Sequence, residues 1–302
     1  MSEDLEQRDD EGRTPLMRAC EGGDLEQVQR LIDKGANFDI RDMRGKTPLM
    51  WACKKGHESI VRLLIDKGTE IDFLHLRTAA KNGHSTIVEL LIRAGADIND
   101  SKERKSPALI IASAEGHVDV VDCLLSLEAN TETKDWYGRT ALMWACMNGM
   151  IDVVDRLLAA GCNVHAQDRD GSTALKFAAQ RGSIPIIDRL VVHGADFNYQ
   201  DKSGDNALMW ASRYGHVEAV DRLLSLGCDV NAQTEKEWTA LMMTCFAGKV
   251  EVVRLLLDHG ADPFLRNTNG RRAIDLIASS PEIHALLNGL IFLSFHCHHH
   301  VP

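Results

Sequence analysis

Asp42-Met43-Arg44-Gly45-Lys46-Thr47-Pro48-Leu49-Met50-Trp51-Ala52-Cys53-Lys54-Lys55-Gly56-His57 is the stretch from which the rest of the chain can be read. Asp-x-x-Gly is turn chemistry: the carboxylate bonds nearby amides and glycine accepts positive φ. Thr47 then suits a helix N-cap, and Pro48 the first helical position, where no N–H is needed. Leu49 and Ala52 give a short amphipathic helix. Ala52 and Cys53 are small enough to let a neighbouring helix approach closely, and Gly56 predicts a left-handed stop. The next run, Ile60-Val61-Arg62-Leu63-Leu64-Ile65 before Gly68, has the spacing of a second helix with one buried face. The unit is therefore turn, helix, loop, helix, and it cannot bury its own apolar face without a neighbour.

The neighbours are present. The helix-ending glycine recurs as Gly23, Gly56, Gly83, Gly116, Gly149, Gly182, Gly215 and Gly248, always 33 residues apart except for 27 between Gly56 and Gly83. A second close copy runs from Asp135 through Gly138, Thr140, Leu142, Trp144 and Cys146 to Gly149. A period near 33 indicates stacked units rather than one globular core. A stack works mainly through its surface, so the functional question is which partner it holds and on which face.

These residues resemble the ankyrin repeat family. The family pattern, D-x-x-G-x-T-P-L-H-x-A-A-x-x-G-H followed by x-x-V-V-x-x-L-L-x-x-G-A-D-V-N, is matched in Gly116-His117-Val118-Asp119-Val120-Val121 and Gly95-Ala96-Asp97-Ile98-Asn99. The resemblance covers residues 9–288. It implies an all-α fold: an ankyrin-repeat solenoid of helix-turn-helix units joined by short β-hairpin-like fingers. About eight repeats and a degenerate C-terminal cap near Asn269-Gly270 to Leu287 are expected, between an acidic segment (1–8) and a non-repeat tail (289–302). The departures are specific. The family His after Leu is replaced by Met17, Met50, Arg77, Ile110, Met143, Lys176, Met209 and Met242. In the third unit Asp72-Phe73-Leu74 leads almost directly into the helix, so its finger is expected to be missing. In the fourth, Lys105 replaces the turn glycine, Pro107 the threonine, and Glu128 the glycine after the second helix.

Composition sets further bounds. The chain has 302 residues and a net charge of −10, which disfavours binding to a nucleic-acid backbone. No apolar stretch reaches the ~18 residues of a membrane span. Met1-Ser2-Glu3-Asp4 has neither the charge nor the apolar run of a signal peptide, so a cytosolic or nuclear address and a monomeric chain are expected. Cys20, Cys53, Cys146 and Cys245 share one repeat position and Cys162 and Cys228 another, which reads as structural thiols and not a disulfide framework. His57, His84, His117 and His216 share the position after the helix-ending glycine, again a structural ladder. No zinc spacing, phosphate loop or nucleophile–base arrangement appears in the array, and no catalytic residue, cofactor or metal is assigned.

The resemblance implies a concave side, made of finger tips and first helices, that binds a protein partner. Carried over by register, its residues are Met43, Arg44, Lys46, Lys54 and Lys55 in the second unit, and Trp136, Tyr137, Arg139, Met147 and Asn148 in the fifth. The sixth contributes Arg169, Asp170, Ser172, Gln180 and Arg181; the seventh Lys202, Ser203, Asp205, Arg213 and Tyr214; the eighth Glu235, Lys236, Trp238, Phe246 and Ala247. The set is rich in Trp, Tyr, Arg and Met, the residue types that dominate interfaces, and units five to eight hold most of the aromatics. The leading expectation is a non-catalytic protein–protein interaction module, an adaptor or scaffold.

Two alternatives are also implied by the resemblance. One branch of the family cages methylated lysine with Trp at the position of Trp51, Trp144 and Trp210 and Trp just after the turn glycine. Trp210 and Trp238 occupy those registers on neighbouring units, with Tyr214 and Phe246 nearby, whereas that branch has both in one unit. Some repeats are also substrates of asparaginyl hydroxylation, at a register matched by Asn99 and Asn231, although a structural asparagine is the preferred reading. In the tail, His296-Cys297-His298-His299-His300 has the donor atoms for Zn²⁺ or Cu²⁺, but adjacent ligands rarely close around a metal and adventitious affinity is expected.

Overall fold

The computed structural model describes residues 4–100, 106–277 and 280–297, with side chains through Gly289. Lys105 lies outside the described residues, and so does the metal affinity expected of His296, Cys297, His298, His299 and His300. Every regular element among the described residues is helical. The chain divides into two compact units. One comprises Met1–Trp136, Thr140–Ala145 and Ala159–Cys162; the other comprises Tyr137–Arg139, Cys146–Leu158 and Asn163–Pro302.

The first unit holds four helix pairs: α1 (Pro15–Gly22) with α2 (Leu25–Asp33), α3 (Pro48–Lys55) with α4 (Glu58–Asp66), α5 (Phe73–Lys81) with α6 (Ser85–Arg93), and α7 (Ala108–Glu115) with α8 (Val118–Ser126). First helices pack on first helices (α1 on α3, α3 on α5, α5 on α7), and second on second (α2 on α4, α4 on α6, α6 on α8). Helices α9 (Ala141–Asn148) and α10 (Ile151–Ala159) carry residues of both units. The second unit holds α11 (Ala174–Arg181) with α12 (Ile184–Val192), α13 (Ala207–Tyr214) with α14 (Val217–Ser225), and α15 (Ala240–Ala247) with α16 (Val250–Asp258). A 3₁₀ turn, Ala273–Leu276, closes its row of first helices against α15, and α17 (Pro281–Cys297) closes the second-helix row against α16. Helix α17 runs unbroken past residue 289, where the tail was expected to begin.

The local chemistry follows the quoted stretch. Thr47 accepts a hydrogen bond from Met50 N at 3.2 Å, and Pro48 opens α3. Thr14, Asn206 and Thr239 cap α1, α13 and α15 in the same way. Each such cap is worth about 1 kcal/mol. Beneath the caps, Leu49, Ile60, Val61 and Leu64 are essentially fully buried, each contributing about 1.5–3 kcal/mol of apolar burial. Successive fingers are tied by single backbone bonds: Met43 N to Glu11 O in the first unit, and Arg169 N to Tyr137 O, Lys202 N to Asp170 O and Glu235 N to Ser203 O in the second.

The histidine ladder and the glycines at the helix ends explain one another. Gly56 takes φ +80°, and the imidazole of His84 from the next repeat lies directly over it, so close that a Cβ would stand 2.7 Å from Cε1. His84 Nε2 then donates to Lys54 O at 3.2 Å, two residues before the glycine. His57, His117 and His216 make the same bond to Glu21 O, Lys81 O and Gln180 O. These histidines are inter-repeat ties.

In the third repeat Asp72 is itself the N-cap of α5. Its carboxylate accepts from Leu74 N and His75 N, and the His75 ring completes a capping box. His75 is buried and its Nε2 stands 2.9 Å from Thr47 Oγ1, so it links the third repeat to the cap of the second. Glu128, at the register of a helix-ending glycine, is held at φ +60°, and Glu237, at that of a turn glycine, at φ +58°.

Candidate protein-binding face

Two of the expected registers, the residue after the turn glycine and the residue two before the helix-ending glycine, come together above the first helix in the first, second, fifth and eighth repeats. Between them lies the side chain at the position of Trp51. In the first repeat the pair is Arg13 and Glu21, ion-paired at 2.7 Å. In the second it is Lys46 and Lys54, whose Nζ atoms stand 4.3 and 4.8 Å from the centre of the Trp51 ring. In the fifth repeat Arg139 Nη1 reaches Met147 Sδ at 4.0 Å. In the seventh the pair is Asp205 and Arg213; burial pushes the Asp205 carboxyl up, opposed by Lys176, a Trp210 hydrogen bond and Arg213. In the eighth it is Trp238 and Phe246, edge to face at 6.0 Å and 86°. Together with Arg213 and Met243 these two rings line a cavity of about 210 Å³.

The expected residues divide by exposure. Met43 (77%), Phe246 (59%), Tyr137 (57%), Tyr214 (46%) and Trp136 (40%) are exposed large side chains. Arg44, Lys55, Arg169, Arg181 and Arg213 are exposed as well, while Lys46, Lys54, Arg139, Met147 and Trp238 are half-buried. Ser172 was expected on the surface with them, but it is buried at 3%, because it turns inward to accept a 3.0 Å hydrogen bond from Lys176 Nζ. The exposed rings are also organised: Tyr214 stacks on Trp210 at 5.9 Å and on His216 at 6.3 Å, and its hydroxyl accepts from Gln180 Nε2.

Trp51 is buried, and its indole N–H donates to Asp42 Oδ2 at 3.0 Å, the turn carboxylate of its own repeat. Trp144 makes the same bond to Asp135 at 2.8 Å. In the seventh repeat that carboxylate, Asp201, is taken instead by Lys176 of the sixth, which stands at the family histidine register. Lys176 Nζ also lies 4.5 Å over the Trp210 ring, and Arg213 lies 6.0 Å over it. This cluster of buried Lys176 and Asp201 beside half-buried Trp210, and the His75 link, were not anticipated from the sequence. A charged residue at a register otherwise held mostly by methionine, and Asp-x-x-His at a helix start, were the available signals.

The asparagine registers are engaged in backbone ties. Asn99 Oδ1 accepts from Asn130 N and Asn231 Oδ1 from Asp262 N, 31 residues on in each case. Asn231 also donates to Gly260 O. The described cysteines form no disulfide, and burial pushes the Cys20 thiol up to about 12 and that of Cys53 higher still, which suppresses the thiolate a nucleophile needs. Among the described residues there is no cluster of three His, Cys, Asp or Glu able to hold a metal, and no helix long and apolar enough to cross a membrane.

A family model described as ankyrin repeats (3 copies) matches residues 1–74, 76–168, 148–234 and 226–291. Among solved structures, the human ASB11 ankyrin repeat domain is 29% identical, with a TM-score of 0.64 over 70% of this chain and 96% of its own. The ankyrin repeat domain of Bcl-3, described as a unique member of the IkappaB protein family, is 26% identical, with a TM-score of 0.61 over 74% of this chain and 99% of its own. No curated protein matches.

Proposed function

This chain belongs to the ankyrin repeat family, whose domains mediate protein–protein interaction, and on that footing we propose that it is a non-catalytic adaptor or scaffold holding a protein partner on its finger tips and first helices. The observation that carries the proposal is the placement of Tyr137, Tyr214, Trp238 and Phe246. Large aromatics stand exposed or half-exposed in the registers that face outward, where folding has no use for them. Such side chains supply most of the free energy at interfaces. Ring stacking and capped helices hold them in place before binding, which reduces the entropy lost on association. That the described cysteines form no disulfide accords with a reducing compartment, the cytosol or nucleus.

The test compares partners captured by the wild type with those captured by a variant carrying Trp136, Tyr137, Tyr214 and Trp238 as alanine, after circular dichroism shows both folded. Selective loss of partners supports the face. An unchanged partner list refutes the choice of these units.

The edge-to-face Trp238–Phe246 pair beside its cavity is the one observation favouring a reader of methylated lysine. Arg213 counts against it: it lines the same cavity, and a cation repels a quaternary ammonium. The Trp210 face is likewise covered by Lys176 and Arg213. A trimethyl-lysine peptide is expected to bind no better than its unmethylated form. Asn99 and Asn231 are assigned to inter-repeat bonding, and hydroxylation of either would require its loop to open first.

A further inference from the structure

The paired registers show a pattern with one exception. Arg13 with Glu21 joins opposite charges, Arg139 with Met147 joins a cation to a soft neutral atom, and Trp238 with Phe246 joins two rings, while Asp205 and Arg213 set opposite charges in the two registers of the seventh repeat and the sixth has the neutral Ser172 and Gln180. Only the second repeat sets like charges together, Lys46 and Lys54, over one ring. Every nearby acid is already engaged. Glu21 is held by Arg13 and Lys55, and Glu11 by Arg44. Asp42 Oδ1 accepts from Arg44 N and Lys46 N, and its Oδ2 from the Trp51 indole. Neither lysine has a carboxylate within ion-pair distance among the described residues. The Lys46 amine is shifted down, by burial first and then by the charge of Lys54, with the Asp42 carboxylate opposing them.

We propose that Lys46 and Lys54 receive a carboxylate side chain from an acidic segment of the protein partner, bridged between the two ammonium groups above Trp51. The buried, hydrogen-bonded indole is a rigid floor, so both cations are placed before the partner arrives. An incoming carboxylate relieves their repulsion and forms two charge-assisted bonds at once. Charge complementarity also limits the occupant: a chain of net charge −10 repels an extended polyanion, so a short acidic peptide fits and a nucleic-acid backbone does not. The inference rests on the protein-binding reading above and assigns the partner chemistry of one of its positions.

The experiment is fluorescence anisotropy of the full chain with a fluorescein-labelled peptide of alternating glutamate and glycine; the corresponding lysine peptide is the control. The glutamate peptide is expected to bind, less tightly as salt rises, and the lysine peptide not to bind. Lys46→Gln and Lys54→Gln are each expected to weaken binding about tenfold, the equivalent of one lost charged hydrogen bond. Lys54→Glu, which recreates the Arg13–Glu21 arrangement, is expected to abolish it and to raise the melting temperature by removing the like-charge contact. Failure of the glutamate peptide to bind, unchanged binding in Lys54→Glu, or a lower melting temperature in that variant overturns the proposal. The outcome is separable from the aromatic test. Partner loss in the aromatic variant with unchanged peptide binding in Lys54→Glu leaves the protein-binding face standing and removes the lysine receptor; charge-specific peptide binding without partner loss keeps the lysine receptor and removes the aromatic units as the partner's main anchor.

Discussion

Replacing Lys176 with methionine, the residue at this register in five other repeats, should expose how strongly one inter-repeat charge pair holds the second unit together. Lys176 and Asp201 are 8% and 9% exposed, and Lys176 Nζ donates to Asp201 Oδ2 and to Ser172 Oγ. Removing one member of a buried pair costs about 3–5 kcal/mol, because the remaining charge is left uncompensated. Asp201 would still accept Ser203 N at 2.9 Å and Asp205 N at 3.0 Å on its other oxygen, which places the expected loss at the lower end, about 3 kcal/mol. Asparagine can perform the same turn duty: Asn267 Oδ1 accepts Asn269 N and Arg271 N in the last finger. The double variant Lys176→Met with Asp201→Asn should therefore return to within about 1 kcal/mol of wild type. Urea unfolding followed by circular dichroism reads both values from the midpoint and slope, with the second unit's transition fitted separately if the array does not unfold in one step. A single variant within about 1 kcal/mol of wild type, or a double variant no better than the single, refutes the reasoning.

Three further outcomes follow from the same geometry. Burial raises the Asp72 carboxyl, but the His75 hydrogen bond and charge and two amides outweigh it and bring it down to about 2. Because the folded value lies below the unfolded one, Asp72 contributes its at most about 2 kcal/mol above the usual carboxylate range and loses it as pH falls toward about 2. Wild type and Asp72→Asn should therefore differ in melting temperature at neutral pH and converge in acid; a constant difference contradicts this. Glu128→Gly releases a left-handed non-glycine residue and should stabilise by about 0.5–1 kcal/mol after the greater entropy of the unfolded glycine is subtracted, measured by urea midpoint. Cys20 and Cys53 should resist iodoacetamide in the native protein and react fully in urea, as counted by mass spectrometry; rapid native alkylation would show that these sites open readily.

The fold was legible because its signals are local and repeated. Asp42 to Gly45 specifies a turn, Thr47 and Pro48 a helix start, and Gly56 its stop, and all three hold in the structure. The outward registers were legible for the same reason, since a fixed period carries one residue's exposure to its equivalents. Ser172 shows where that transfer fails. Its exposure depends on Lys176, one turn later, and on Asp201, one repeat later, and neither belongs to the local pattern. His75 was missed likewise: it stands at the proline register of a repeat that begins its helix directly at Asp72, and its partner Thr47 is 28 residues away. The Lys46–Lys54 pair is visible in sequence as two lysines, but their meeting over one ring is set by how the finger folds back on α3, which no periodicity reports.

The two positions, after the turn glycine and two before the helix-ending glycine, vary as Arg/Glu, Lys/Lys, Arg/Met, Ser/Gln, Asp/Arg and Trp/Phe in the first, second, fifth, sixth, seventh and eighth repeats, while Leu and Ala beneath them hardly change. On the proposed function, the layer offered to a partner and the layer that makes the protein fold are thus written in separate letters. On that reading a mutation in the upper layer would alter what the molecule binds at less structural cost than one in the Leu/Ala layer, and a copied repeat would arrive with two characters to fill. Such a scaffold is readily diversified by selection, and the same two positions per repeat are where a library would begin.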